Sequence, residues 1–233
     1  MSPRLPPTCA VLLLALAAGC SSWTRAGQYD GWALWVRDEE SVDVGRYEAV
    51  FQIAFETVER HLGAFEQPVR IHAWDGGVEL VSGNRGEIRE RGHEGLVQDV
   101  PGIGPARVRA FHTRGGRGGV FIGEADESTA IHELVHARLA EAGRDLPLWF
   151  EEGLASLYAD GAVHGGRWVV DGLACWPLRE LAEEPLPDAE LARLVALRAR
   201  DEHSVRENLL VHFVGWALAF DLRREHPDAP WTA

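Results

Sequence analysis

Ser128-Thr-Ala-Ile-His132-Glu133-Leu-Val-His136-Ala-Arg-Leu139, a break at Gly143-Arg-Asp-Leu-Pro147, and then Leu148-Trp149-Phe-Glu-Glu152-Gly153-Leu-Ala155-Ser156-Leu-Tyr158 are the stretches that decide how this chain reads. Between Asp126 and Gly143 there is no proline and the interior is rich in Ala and Leu. Asp126 or Ser128 can cap the start and Gly143 can stop the end, so the segment reads as a helix. On a period of about 3.6 residues, His132 and His136 stand one turn apart on one face, where both imidazoles can reach one ion. Neutral imidazole binds zinc well, and an i, i+4 pair supplies two corners of a tetrahedron. Glu133 lies beside them, where its carboxylate can take a proton from an activated water.

Two histidines leave such an ion short of ligands, and the next helix is the simplest source of a third. Pro147 near its start, Asp145 as a cap and the run from Leu148 to Tyr158 mark that helix. Glu152 is the candidate. Gly153, weak in a helix interior, makes sense if another backbone or the metal site comes close there.

The segment Trp149-Phe-Glu-Glu152-Gly153-Leu-Ala155, following His132-Glu133-x-x-His136, resembles the second zinc motif of the gluzincin metallopeptidases. The resemblance implies an α+β, zincin-like fold: a small mixed sheet with an N-terminal helix, an active-site helix and a helical C-terminal part. It implies zinc held by His132, His136 and Glu152, with Glu133 as the base that activates water against a peptide bond. Thermolysin-like members carry Asp four residues after the third ligand, to orient the first histidine. Ser156 occupies that position here, from which it can accept a weaker hydrogen bond from His132. Related domains often carry a Tyr or His on a late helix that stabilises the oxyanion. His212 can serve, but the preferred reading of it is a packed core histidine. Zincins also place an edge strand just before the zinc helix, and Gly118 to Gly123 reads as that strand or as an ordinary sheet strand. On an edge it would take an extended peptide by backbone pairing.

At the start of the chain, Arg4 precedes an apolar run from Ala10 to Ala18 that is too short to span a bilayer and has the layout of a secretory signal. Leu16-Ala-Ala-Gly19-Cys20 resembles a bacterial lipoprotein signal, although Ala17 stands where Leu is usual. The resemblance implies lipidation at Cys20 and a membrane tether. With Ser21 behind it, it also implies an address at the outer membrane, facing the periplasm. The expected organisation is a signal peptide at 1–19, a lipidated N-terminus and linker at 20–30, a metallopeptidase domain at 31–226 and a tail at 227–233.

Cys9 would leave with the leader and Cys20 would carry lipid, so Cys175 is left alone and reads as a buried apolar residue. The net charge of −13, with no lysine among the 23 basic residues, argues against nucleic-acid binding. The expected partners are a peptide or protein substrate and, through the anchor, a membrane. Oligomeric state is left open.

Elsewhere, 31–37 reads as a strand, Val44 to Phe65 as an amphipathic helix and Val69 to Trp74 as a strand. His61 reads as a partly exposed, non-ligand histidine. Ala106 to His112 reads as one strand within a loop-rich region, and Val163 to Asp171 as a hairpin about Gly165-Gly166. Ala189 to Arg200 and Val205 to Arg224 read as helices, the second with Leu209, Leu210, Phe213, Trp216, Ala217 and Phe220 on its apolar side. Two other classes compete with the peptidase: a zinc-dependent binding or scaffold lipoprotein, and a structural envelope lipoprotein in which the motif is accidental.

Overall fold

The computed structural model describes residues 23–37, 42–73, 97–100, 104–107, 110–112, 119–143, 146–170, 185–198 and 205–226. The leader, Cys20, Asp145, Cys175 and the turn at 75–77 lie outside them. The architecture is α+β, with five helices and a small mixed sheet among the described residues.

The sheet is built outward from an early hairpin. Strands β1 (Thr24–Tyr29) and β2 (Trp32–Val36) pair antiparallel, with Tyr29 opposite Trp32. Helix α1 (Val44–Leu62) then carries the chain to β3 (Val69–Ala73), which pairs parallel with β2. Asp43 caps α1 by accepting from the Arg46 amide at 3.0 Å. Tyr47, Val50, Phe51, Ala54, Phe55, Val58 and Leu62 are buried, as their helical spacing requires. His61 is half-buried and stacks on Tyr158 with ring centroids 5.0 Å apart.

Strands β4 (Val97–Val100) and β5 (Gly104–Arg107) form a separate antiparallel pair. Strands β6 (Ala110–His112) and β7 (Val120–Ile122) complete the main sheet in the order β1-β2-β3-β7-β6. Leu34 and Val36, Ile71 and Ala73, and Val120 and Ile122 alternate inward as fully buried residues. They meet α1 and the next helix in one hydrophobic core. In the opposite phase, Trp35, His72 and Phe121 share one cross-strand row, and the His72 and Phe121 rings stack 4.5 Å apart.

Two expectations are corrected by this sheet, and one that was left open is decided. The stretch 20–30 is more than a linker, because Thr24–Tyr29 is a strand held by the β2 backbone. Ala106 to His112 divides between two strands in different sheets, β5 and β6. β7 is an interior strand: β3 pairs with one side of it and β6 with the other, so its backbone groups are used and, among the described residues, the sheet edge is β6.

Helices α2 (Glu127–Glu141) and α3 (Leu148–Ala159) follow directly. Asp126, not Ser128, caps α2, its carboxylate accepting from the Thr129 amide at 2.8 Å. Gly143, at φ 68°, follows its end. Pro147 occupies the cap position of α3, with no side-chain cap bond. Strands β8 (Gly161–His164) and β9 (Arg167–Val170) form the expected hairpin. Its two-residue turn needs positive φ at both central positions, and Gly165 and Gly166 supply 58° and 77°.

Helix α4 (Asp188–Ala196) stops short of Arg200, and Leu197 turns its carbonyl to the Leu148 amide at 2.9 Å. Helix α5 (Val205–Glu225) closes the fold. Its deepest apolar residues are Val211, Phe213, Val214, Trp216 and Ala219, while Leu209, Leu210, Ala217 and Phe220 are half-buried. The apolar side is broader than the sequence suggested, because Val211 and Val214 pack with Leu148, Leu194 and Leu197 in a second cluster. Among the described residues, no helix is long and apolar enough to cross a membrane.

Candidate metal centre

α3 folds back along α2. The Ser128 hydroxyl at the start of α2 donates to the Ala159 carbonyl at the end of α3, at 2.9 Å. This antiparallel packing brings the first turns of α3 opposite the middle of α2. His132 and His136 stand there with Nε2 atoms 3.2 Å apart. Glu152 Oε2 lies 3.5 Å from His132 Nε2 and 3.3 Å from His136 Nε2. The three sequence-predicted ligands therefore converge.

α5 brings a fourth donor. Gly153 and Gly215 meet backbone to backbone: a Cβ on Gly153 would sit 2.3 Å from the Gly215 carbonyl oxygen. Only a residue without a side chain tolerates that approach. The close approach of another backbone anticipated at Gly153 is thus α5, and His212 lies one turn before the contact. Its Nδ1 is 3.2 Å from Glu152 Oε2. Donor atoms of His132, Glu152 and His212 lie within 4.8 Å of one another, and this group can hold a metal ion. His212 is therefore a half-buried residue facing the site, and the packed-core reading is set aside.

Ser156 does not do what its place in the motif suggested. Its Oγ lies 3.3 Å from His212 Nδ1, and His212, not His132, is its partner. One turn past Glu152 on α3, the serine faces the helix that arrives last. The sequence could flag Ser156, but its partner depends on how α5 crosses α3.

The site is buried and dense in charge. Glu152 Oε2 is buried and, despite three imidazole nitrogens within 3.5 Å, makes no hydrogen bond. Burial alone would raise its carboxyl, but His136 and His212 outweigh that and hold it well below the usual range. His132 is pushed down to about 4, chiefly by burial. His136 goes the other way, to about 9: burial opposes its charge, but Glu152, Glu133 and Glu151 together overcome it. His212 is lowered, mainly by burial. Glu133 is 7% exposed, and burial pushes its carboxyl up to about 7, with His136 opposing and Glu152 adding.

Beside the cluster is a cavity of about 330 Å³ lined by Ser128, His132, Ser156, Asp160, His212 and Trp216 among others. A group of substrate size can therefore reach the His132 and His212 side of the centre. No family model matches the chain, and no curated protein or solved structure matches it.

Proposed function

We propose that this chain is a zinc metallopeptidase of gluzincin type, with a zincin-like fold, tethered to a bacterial envelope through lipid on Cys20. The observation that carries the reading is the triangle of His132 Nε2, His136 Nε2 and Glu152 Oε2, with sides of 3.2, 3.3 and 3.5 Å. Donors about 2.0–2.1 Å from a tetrahedral zinc lie roughly 3.3–3.4 Å from one another. Two imidazoles and a carboxylate are a donor set that zinc accepts, and a buried, unbonded Oε2 has a role there as a ligand.

When bound, zinc supplies Lewis acidity toward the substrate carbonyl and lowers the pKa of water to about 7. The remaining work belongs to the chain. Glu133 is one residue from His132, and its raised carboxyl suits it to both halves of a proton relay. It takes the proton of the attacking water and hands it to the leaving amine, so that the C–N bond breaks to give an acid and an amine. His132, His136 and Glu152 fix the reacting centre on two packed helices, and burial keeps competing water away. The cavity beside His132 receives the substrate residue next to the scissile bond. The leader sequence supports the tether.

The test is cleavage of a defined peptide mixture by the zinc-loaded full chain and by Glu133→Gln, followed by mass spectrometry. Wild type should cleave and the variant should not, with equal zinc content. Equal cleavage by both would remove Glu133 as the base, and no cleavage by wild type would remove the peptidase reading.

A further inference from the structure

Strand β8 pairs only with β9 among the described residues, and its first residue, Gly161, stands at the wall of the cavity beside His132 and His212. We infer that the outer edge of β8, at Gly161 and Val163, receives an extended stretch of the substrate as an added strand on one side of the scissile bond. This rests on the peptidase reading proposed above.

The register dictates which groups face outward. The two-residue turn at Gly165 and Gly166 makes His164 and Arg167 a hydrogen-bonded pair, and alternation makes Ala162 and Val169 the next. Gly161 and Val163 therefore turn both N–H and C=O away from β9. Among the described residues, no backbone hydrogen bond outside the β8–β9 ladder reaches 161–164. Gly161 has no side chain, so the surface it lends to the cavity is backbone. The edge is also held in place: a Cβ on Gly161 would sit 2.2 Å from the Val169 carbonyl oxygen, and Trp168 anchors β9 to the Tyr158 carbonyl. Edges that are kept apart carry charge, proline or a bulge, whereas Gly161-Ala162-Val163 carries none of these and Val163 is exposed. β7 has both sides engaged in the main sheet, so no peptide can pair with it. Backbone pairing tolerates many side chains but needs free peptide N–H groups, so the substrates are extended segments without proline at the alternate positions that face β8.

The test takes a peptide cleaved in the mixture above and methylates its backbone nitrogens one at a time. On one side of the cleaved bond, methylation should raise KM about 2–10-fold at alternate positions, with kcat kept. Val163→Pro removes an outward donor, a change that an edge strand tolerates. It should raise KM by a similar factor and flatten the methylation pattern on that side. A wild-type KM in Val163→Pro, or a pattern without alternation, would overturn the inference and leave the peptidase intact. Hydrogen exchange in the zinc-loaded Glu133→Gln chain, which holds the peptide uncleaved, reads the edge without turnover and decides the matter if Val163→Pro loses its hairpin. The Gly161 and Val163 amides should be protected only when the peptide is bound, and equal exchange with and without it would overturn the inference. A dimer that Val163→Pro makes monomeric would give the edge to a second copy of the chain, which also overturns it. A wild type that cleaves no peptide removes the peptidase reading, and this inference with it.

Discussion

Gly215 of α5 lies against the backbone of α3 at Gly153, so closely that a methyl on Gly215 would sit 2.3 Å from the Trp149 carbonyl oxygen and 2.9 Å from the Gly153 nitrogen. Both atoms are backbone and cannot turn aside. Gly215→Ala is therefore expected to force the helices apart and destabilise the fold by about 1–3 kcal/mol, the usual cost of overpacking. It should also draw His212 off Glu152. A thermal melt checks the first effect and a zinc titration the second. A variant with wild-type melting and wild-type zinc affinity would contradict the contact.

Glu133 is retained at a cost to stability. Its folded carboxyl, raised to about 7, binds a proton more tightly than the unfolded chain does. Its contribution is therefore full below the unfolded value of about 4.5 and is lost as pH rises to 7. Glu133→Gln removes the buried charge. Metal-free Glu133→Gln should melt above metal-free wild type at pH 8, by roughly 2–4 °C for each 1 kcal/mol recovered, and the gap should close near pH 5. Calorimetry at the two pH values decides it, and a variant less stable than wild type at pH 8 would count against the buried-base assignment.

His72 gives the opposite slope on the far face of the sheet. Burial, with Arg70 adding, pushes its ring down to about 4, and it stacks between Phe121 and Trp35. The unfolded chain binds the proton more tightly, so this stability is present above about 6.5 and lost as pH falls toward 4. His72→Phe keeps the stacking and removes the titration. The acid limb of melting temperature against pH should flatten between those values, and an unaltered limb would show that His72 is not its source.

Trp168 ties the β8–β9 hairpin to the end of α3, donating from Nε1 to the Tyr158 carbonyl at 2.9 Å. Trp168→Phe leaves that buried acceptor unpaired, at an expected cost of about 1–3 kcal/mol. Denaturant unfolding measures it. Because Tyr158 lies beyond Glu152 and Ser156, zinc stoichiometry should not change.

The two central helices were legible because their signals are local. Asp126 caps within three residues, His132 and His136 need only helical pitch, and Gly153 marks a close approach by being a poor helix former. What was not legible depends on pairing at a distance. Whether Val120–Ile122 is an edge is decided by Ala110–His112, which sits beyond a glycine-rich stretch and is only three residues long. Thr24–Tyr29 has weak strand composition, and the β2 backbone makes it a strand. Ser156 was visible as a polar residue one turn past Glu152, but its neighbour comes from α5, 56 residues later. His212 was named only through the resemblance: its own helix is apolar on several sides, so periodicity alone gave no reason to point it inward.

The most direct measurement is zinc uptake by the full chain under equilibrium dialysis, wild type beside Glu152→Ala. Wild type should hold one zinc per chain and Glu152→Ala should lose it, with the helical circular dichroism of both retained. Zinc-free wild type, or a Glu152→Ala protein that keeps its zinc, would contradict the convergence of His132, His136 and Glu152 on one ion.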